Sequence, residues 1–234
     1  MLVLGITGSI GTGKSTVSMI LRSKSPWTLI DADVLAKELM LPGNKCYKKV
    51  IKIFGESIVK EDGQIDTNIL GQAVFSNPCE RKILNKIVHP EVLKTVLFQI
   101  FKAWIRGDEV VIVDVPLLFE SGFDYLCGKI ICVACKENTQ TERLKTRNGY
   151  TKEESEKRIR SQMPLSSKIQ LADIVIWNDG SKKDLEVKVA ALIKNIQPTK
   201  TRYLLERILP IFAMISFIYT ALKRWLFKKK KNFI

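Results

Sequence analysis

Histidine occurs once in these 234 residues, at His89, and cysteine only five times. A structural zinc site needs four such ligands at short spacings, and no grouping here supplies them. Cys132-Val-Ala-Cys135 is the single C-x-x-C, and it falls in the apolar run Lys129–Ala134. Alternating side chains along a buried strand suit neither a redox pair nor a metal knuckle. The odd cysteine count, with no secretory signal pattern at the start, points to a reducing compartment. Acidic residues are also scarce, with 24 Asp and Glu against 38 Lys and Arg, for a net charge of +14. The excess is uneven. From Thr199 onward nine Lys and Arg face one acid, Glu206; nine less one leaves +8 in the tail and +6 in residues 1–198. That modest excess suits a handler of small polyanions, and no interleaved basic and aromatic surface marks a nucleic-acid binder. No internal repeat is visible.

What is present begins at the amino terminus. Gly8-Ser9-Ile10-Gly11-Thr12-Gly13-Lys14-Ser15-Thr16 fits the pattern G-x-x-x-x-G-K-[ST]. It lies between a buried strand, Leu2–Thr7, and a helical stretch starting at Lys14, the context the pattern requires. Glycines let successive backbone amides turn toward a phosphate, and the helix N-terminus adds partial positive charge. Lys14 can reach the β- and γ-phosphates, and the Ser15 hydroxyl suits Mg²⁺. The chain is read as binding a nucleoside triphosphate with Mg²⁺.

Hydrophobic content of 46% is ordinary for a globular core. Apolar runs alternate with helical patterns, which predicts a doubly wound, mostly parallel α/β sheet of the P-loop type. Five strands are expected at Leu2–Thr7, Trp27–Asp31, Glu109–Asp114, Lys129–Ala134 and Asp173–Trp177. The continuous run Val110–Val113 reads as a strand covered on both faces. Helices are expected at Lys14–Lys24, Thr67–Phe75, Pro78–Arg106, Asn138–Arg147 and Lys182–Asn195. Residues about 34–107 hold no convincing parallel strand and read as a helical insertion suited to an acceptor-binding subdomain.

Carboxylates close the strands. Asp31 and Asp33 project to the same side of an extended segment. A carboxylate there can orient an acceptor hydroxyl and take its proton, while one of the pair can instead cap the helix that follows. Asp114 ends the third strand and is expected on the Mg²⁺ side, with Ser15. Arg143 and Arg147 share a helix face at i, i+4, and with Arg158 and Arg160 flank Asn148-Gly149. This suits a lid over about 147–163 that closes on phosphates; the plainer reading is a solvated charged face. No Asn-Lys-x-Asp motif for guanine occurs.

Taken in order, these motifs resemble the dephospho-CoA kinase family. The resemblance rests on Thr7–Thr16, Asp31-Ala-Asp33, Pro42-Gly43, Phe54-Gly55, His89-Pro90 and Asp114-Val-Pro-Leu-Leu-Phe-Glu120. Gln162-Met-Pro164, Lys168, Ala172-Asp173 and Asn178-Asp-Gly180 complete it. It covers residues 2 to about 190. It implies ATP-dependent phosphorylation of the ribose 3′-hydroxyl of dephospho-CoA. By position, Asp33 would activate that hydroxyl, and Lys14 with Arg143 would steady the transferring phosphate. Asp31, His89, Leu117, Phe119, Glu120 and Arg147 would serve the acceptor, and Asn178 and Gly180 would lie near adenine. His89 before Pro90 can alternatively be a helix cap. Two positions depart from the pattern: Thr67 replaces a usual arginine, implying weaker acceptor binding, and Ser9 replaces a usual glycine.

After Pro198 the character changes. Ile208–Leu222 carries no charge and is followed by Lys223-Arg224 and Lys228–Lys231. As a helix it covers roughly 22 Å, short of a ~30 Å hydrocarbon core, unless Trp225–Phe227 extend it. A membrane anchor over 204–227 is expected, and an extra helix packed on the kinase core is the alternative. Basic residues beyond the segment oppose a cytosolic kinase with a translocated tail, a conflict that a late-inserted anchor or a dip into one leaflet avoids. The expected molecule is thus a monomer: a kinase domain over 1–198 in the cytosol and a tail over 199–234. The tail would hold it at the mitochondrial outer membrane or endoplasmic reticulum. Rival readings are another P-loop small-molecule or nucleoside monophosphate kinase, and a catalytically weak nucleotide-binding membrane adaptor.

Overall fold

The computed structural model describes residues 1–196 and 210–231. Its five strands are β1 (Leu2–Gly8), β2 (Thr28–Asp31), β3 (Val110–Asp114), β4 (Lys129–Ala134) and β5 (Ile174–Trp177). They form one sheet in the order β2-β3-β1-β4-β5. β1 pairs in parallel with both β3 and β4, and β4 with β5. Parallel neighbours demand crossovers, and helices supply them. The first helices are α1 (Lys14–Lys24), α2 (Ala32–Leu39), α3 (Lys45–Phe54), α4 (Thr67–Ser76) and α5 (Pro78–Arg106). Then come α6 (Glu137–Asn148), α7 (Lys152–Arg160), α8 (Leu165–Leu171), α9 (Lys182–Asn195) and α10 (Pro210–Lys231). The doubly wound sheet agrees with the alternation in the sequence. Strand and helix limits match it to within a residue at each end of the expected elements, the usual scatter of fraying ends.

Two compact units divide the chain, Met1–Ile30 with Ile100–Ile234, and Asp31–Gln99. In the first, Leu4, Ile6, Ile112, Ile131 and Val133 of the sheet pack with Val17 and Leu21 of α1 and Leu185, Val189 and Leu192 of α9. Every residue of β3 is buried, as its unbroken apolar run requires. The second unit has its own core, in which Val50, Ile58, Ile65 and Leu70 meet Phe54, Leu84 and Ile87.

The expected anchor over 204–227 takes a different form. Residues 204–209 lie outside the described residues. Among the described residues no helix is long and apolar enough to cross a membrane. The physical reason is the position of charge. Only Pro210–Leu222 of α10 is uncharged, a length of about 20 Å, before Lys223-Arg224 interrupt it. The charge at Arg224 is also spoken for. Its Nε donates to the Cys127 carbonyl at 3.1 Å, one Nη donates to the Gly128 carbonyl at 3.2 Å, and the guanidinium pairs with Asp173. The helix itself lies against the 3-10 turn Phe123–Leu126.

The sheet tolerates little change at Gly5, which pairs with Val113 on one side and Ile130 on the other. A Cβ there would stand 2.7 Å from Cys127 Sγ and 3.2 Å from a Leu118 methyl. Overpacking of this kind costs about 1–3 kcal/mol. Urea unfolding of Gly5→Ala should show a loss in that range, with partial recovery in Gly5→Ala/Cys127→Ala. Wild-type stability in the single variant would show that the contact yields freely.

Candidate active site

β1 delivers the chain at Gly8 into a tight turn, and α1 starts at Lys14. The turn needs positive φ at Gly11 (82°) and Gly13 (90°), conformations that side chains resist. Gly13 is constrained twice over, since a Cβ would fall 2.1 Å from Asn178 Nδ2. That amide nitrogen donates to the Thr12 carbonyl at 2.8 Å, and Arg143 Nη1 donates to the same oxygen at 3.2 Å. Arg143 Nη2 in turn donates to the Asn178 carbonyl at 2.7 Å, and Asn178 N to the Ala134 carbonyl at 2.8 Å. The loop is therefore braced from the ends of β4 and β5 and from α6. No side chain caps the N-terminus of α1, which leaves that end suited to an anion.

Asp114, at the end of β3, is buried between two partners. Lys14 Nζ meets its Oδ1 at 2.6 Å, and Ser18 Oγ donates to Oδ2 at 2.6 Å. Lys14 and Ser18 are one helical turn apart, so both reach one carboxylate. Ser15 lies between them in sequence with its side chain exposed. A hydroxyl and a carboxylate are hard oxygen donors of the kind Mg²⁺ takes alongside nucleotide phosphates, and these residues fit that ion.

Beside the loop lies a cavity of about 630 Å³. Gly11, Gly13 and Thr16 line one side, Arg143 and Arg147 project from α6, and Asn178 and Gly180 close the third. The sequence places six of these at the nucleotide or its phosphates and Arg147 at the acceptor, and the fold gathers all seven around one space of a size that suits a nucleotide moiety. Arg147 is exposed, its Nε donating to Asn148 Oδ1 at 2.9 Å. Asp179 accepts from the Lys136 amide at 2.7 Å and from Thr139 Oγ1 at 3.0 Å, which fixes the start of α6. The Lys136 amide is the main cause holding the Asp179 carboxyl below the usual carboxylate range.

The segment expected to act as a lid contains α7, begun by a capping box of Thr151 and Glu154, and Arg158 stacks 4.3 Å over the Tyr150 ring. Its C-terminal root is held in two places. Gln162 Oε1 accepts from Ile10 N at 3.0 Å and from Ser9 Oγ at 3.1 Å, while Gln140 Nε2 donates to Ser9 Oγ at 2.9 Å and to the Ile10 carbonyl. Separately, Glu120 Oε1 accepts from Met163 N at 3.0 Å and pairs with Lys168 Nζ at 2.8 Å. The Lys168 side chain is fully buried and also donates to the Pro116 carbonyl at 3.1 Å. Glu120, expected at the acceptor, is thus committed to the lid root. Nearby Leu117 is exposed and Phe119 buried.

In the unit Asp31–Gln99, the two aspartates part roles. Asp31 is the N-cap of α2, its Oδ1 accepting from Asp33 N at 2.9 Å and Val34 N at 3.1 Å. Asp33 stands in the first turn of that helix, so the capping carboxylate is Asp31. His89 lies inside α5 beside Pro90, which the helix accommodates, so it is no helix cap. Thr67 opens α4 directly after its N-cap, Asp66. Cys132 and Cys135 are buried free thiols, pushed up by desolvation to about 12 and about 11.

Ser18 and Gln140 carry no role in the sequence reading. The four-residue spacing from Lys14 to Ser18 is a signal that could have found the first. Nothing local to Gln140 marks it, because its partners lie some 130 residues away. If the Ser9 hydroxyl and Gln162 act as one connection, Ser9→Ala and Gln162→Ala should each weaken ATP binding by about 3–10-fold, the worth of one hydrogen bond. By calorimetry the double variant should then be no worse than Gln162→Ala alone. Effects that multiply would separate the two residues.

Comparison with known proteins places this arrangement. A family model described as dephospho-CoA kinase matches residues 2–184. A dephospho-CoA kinase of Carboxydothermus hydrogenoformans is 42% identical over 192 residues, covering 82% of this chain and 93% of that one. The corresponding kinase of Saccharomyces cerevisiae is 36% identical over 236 residues, covering 99% of this chain and 98% of its own, so the similarity continues into the tail. Among solved structures, TT1252 from Thermus thermophilus superposes with a TM-score of 0.71 at 32% identity, over 84% of this chain and 98% of that one. With its braced phosphate loop, its carboxylate at the end of β3 and these relatives over more than four fifths of its length, the chain belongs to the dephospho-CoA kinase family.

Proposed function

We propose that this protein transfers the γ-phosphoryl group of ATP to the ribose 3′-hydroxyl of dephospho-CoA, giving coenzyme A and ADP. The observation that carries the reading is the pinned phosphate loop opening on a cavity lined by Arg143, Arg147, Asn178 and Gly180. Phosphoryl transfer asks little covalent chemistry of a protein and much positioning and charge. Here the loop and the start of α1 receive the polyphosphate, and Lys14 exchanges its Asp114 partner for the β- and γ-oxygens. Arg147, exposed on the same cavity, adds charge as the lid closes. Arg143 holds the loop through Thr12 and reaches the phosphates from that position. Ser15 and Asp114 would hold Mg²⁺, which would neutralise charge on the phosphates when bound. With Asp31 as the helix cap, Asp33 takes the acceptor proton. His89, Leu117 and Phe119 shape the acceptor side.

The protein acts as a monomer in this reading. Attachment to the cytosolic face of the mitochondrial outer membrane or the endoplasmic reticulum belongs to the same proposal and rests on the apolar, basic composition of the tail.

Coupled detection of ADP with dephospho-CoA, AMP and simple hydroxy acids as acceptors tests the reading, and dephospho-CoA alone should support turnover. With Asp33→Asn, kcat should fall by about 10²–10⁴-fold, the usual worth of a general base, with ATP affinity within about twofold. Wild-type kcat in that variant removes Asp33 from the chemistry. Tight ATP binding without transfer to any acceptor would favour the adaptor reading.

A further inference from the structure

The described side chains of α10 lie the wrong way round for a helix packed on a protein. A helix laid on a core normally turns its apolar stripe inward. Here Ile215, Ile218, Tyr219, Leu222, Trp225 and Leu226 are each about half exposed or more, from 49% to 65%. At 100° per residue they fall within an arc of about 120°. Among the described side chains, Ser216, Thr220 and Arg224, spaced four apart, lie on the opposite side. Thr220 Oγ1 donates to the Ser216 carbonyl at 2.8 Å, and the Arg224 side chain is 10% exposed against Cys127, Gly128 and Asp173. Arg224 thus ties the helix to the domain, while these six large apolar side chains face outward.

We propose that α10 is an in-plane docking helix for an anionic bilayer surface, laid into the headgroup boundary by this face and clamped to the kinase through Arg224. Charge complementarity selects the occupant. The tail carries nine Lys and Arg against one Glu, and exposed Lys223 flanks the apolar arc. Helices with an apolar face, basic flanks and aromatic side chains partition into such boundaries, and each basic residue near an anionic surface strengthens the attraction. A second copy of the helix would bring two basic runs together and is disfavoured by repulsion. This geometry also removes the conflict over basic residues beyond an apolar segment, because α10 lies in the plane of the membrane instead of crossing it.

The clamp fixes orientation too. Gly128 and Asp173 immediately precede β4 and β5, so Arg224 grips the edge of the sheet where these strands begin. The phosphate loop and Asn178 follow the ends of β1 and β5, at the opposite edge. With β4 and β5 running parallel, a bound bilayer leaves the nucleotide cavity turned toward the aqueous phase.

The test uses the full chain, sedimented with vesicles of phosphatidylcholine alone or with 30% phosphatidylserine. We expect binding to the anionic vesicles at least tenfold tighter than to the neutral ones, weakening as salt rises. Leu222→Glu and Ile218→Glu/Leu222→Glu should lose that binding by tenfold or more while keeping wild-type kcat and KM in solution, which also verifies folding. A chain that stays in the supernatant with anionic vesicles, or a Leu222→Glu variant that binds like wild type, overturns the proposal. So does a dimer in gel filtration that Leu222→Glu dissociates, since the face would then belong to a second copy. The kinase reading is judged separately: vesicle binding with no turnover overturns only that reading, and turnover without vesicle binding overturns only this one.

Discussion

A loop of backbone amides can receive a polyphosphate only if its own carbonyl oxygens are turned away and kept there. In this protein that duty falls on the carbonyl of Thr12, which accepts from both Asn178 and Arg143. The two donors are themselves joined through the Asn178 carbonyl and fixed to the end of β4. A carbonyl left facing a phosphate would repel it at close range. Two donors in a partly buried setting hold it far more firmly than one. Gly13 follows from the same demand, since no side chain fits beside Asn178. The β5 strand, the start of α6 and the phosphate loop are thus three parts of one solution.

The same logic explains why Asp114 is reached from two directions. A carboxylate buried at the end of β3 is expensive unless its charge is met. Lys14 and Ser18 meet it, and because both sit on one turn of α1, the acid also sets how α1 enters the sheet. A lysine held by a carboxylate is kept extended and close to where phosphates bind, so little side-chain freedom remains to be lost on binding.

Much of this was legible in the sequence because it is local. The phosphate loop, the paired aspartates and the arginines of α6 each occupy a short window with a mechanism attached. The sheet was legible because fully buried strands leave unbroken apolar runs such as Val110–Val113. What stayed hidden are pairings across long separations. That Glu120 belongs to Lys168 and Met163 depends on where the chain returns after about fifty residues, which no window reports. The sequence does not divide the roles of Asp31 and Asp33, because either can cap a helix and only the backbone at the end of β2 decides. In the tail a hydropathy count shows neither where charge interrupts the run, at Lys223-Arg224, nor which way side chains face, and six large apolar ones of α10 face outward.

The lid root has a thermodynamic consequence. Gln162 and Met163 are tied down by separate partners on the main body, while Gly149, at the other end, has open space around it. A flap anchored along one border retains a single swinging motion instead of a full tether's freedom. In the proposed reaction, shutting it over a substrate would therefore sacrifice less disorder, and more of the attraction between ligand and flap would survive as affinity.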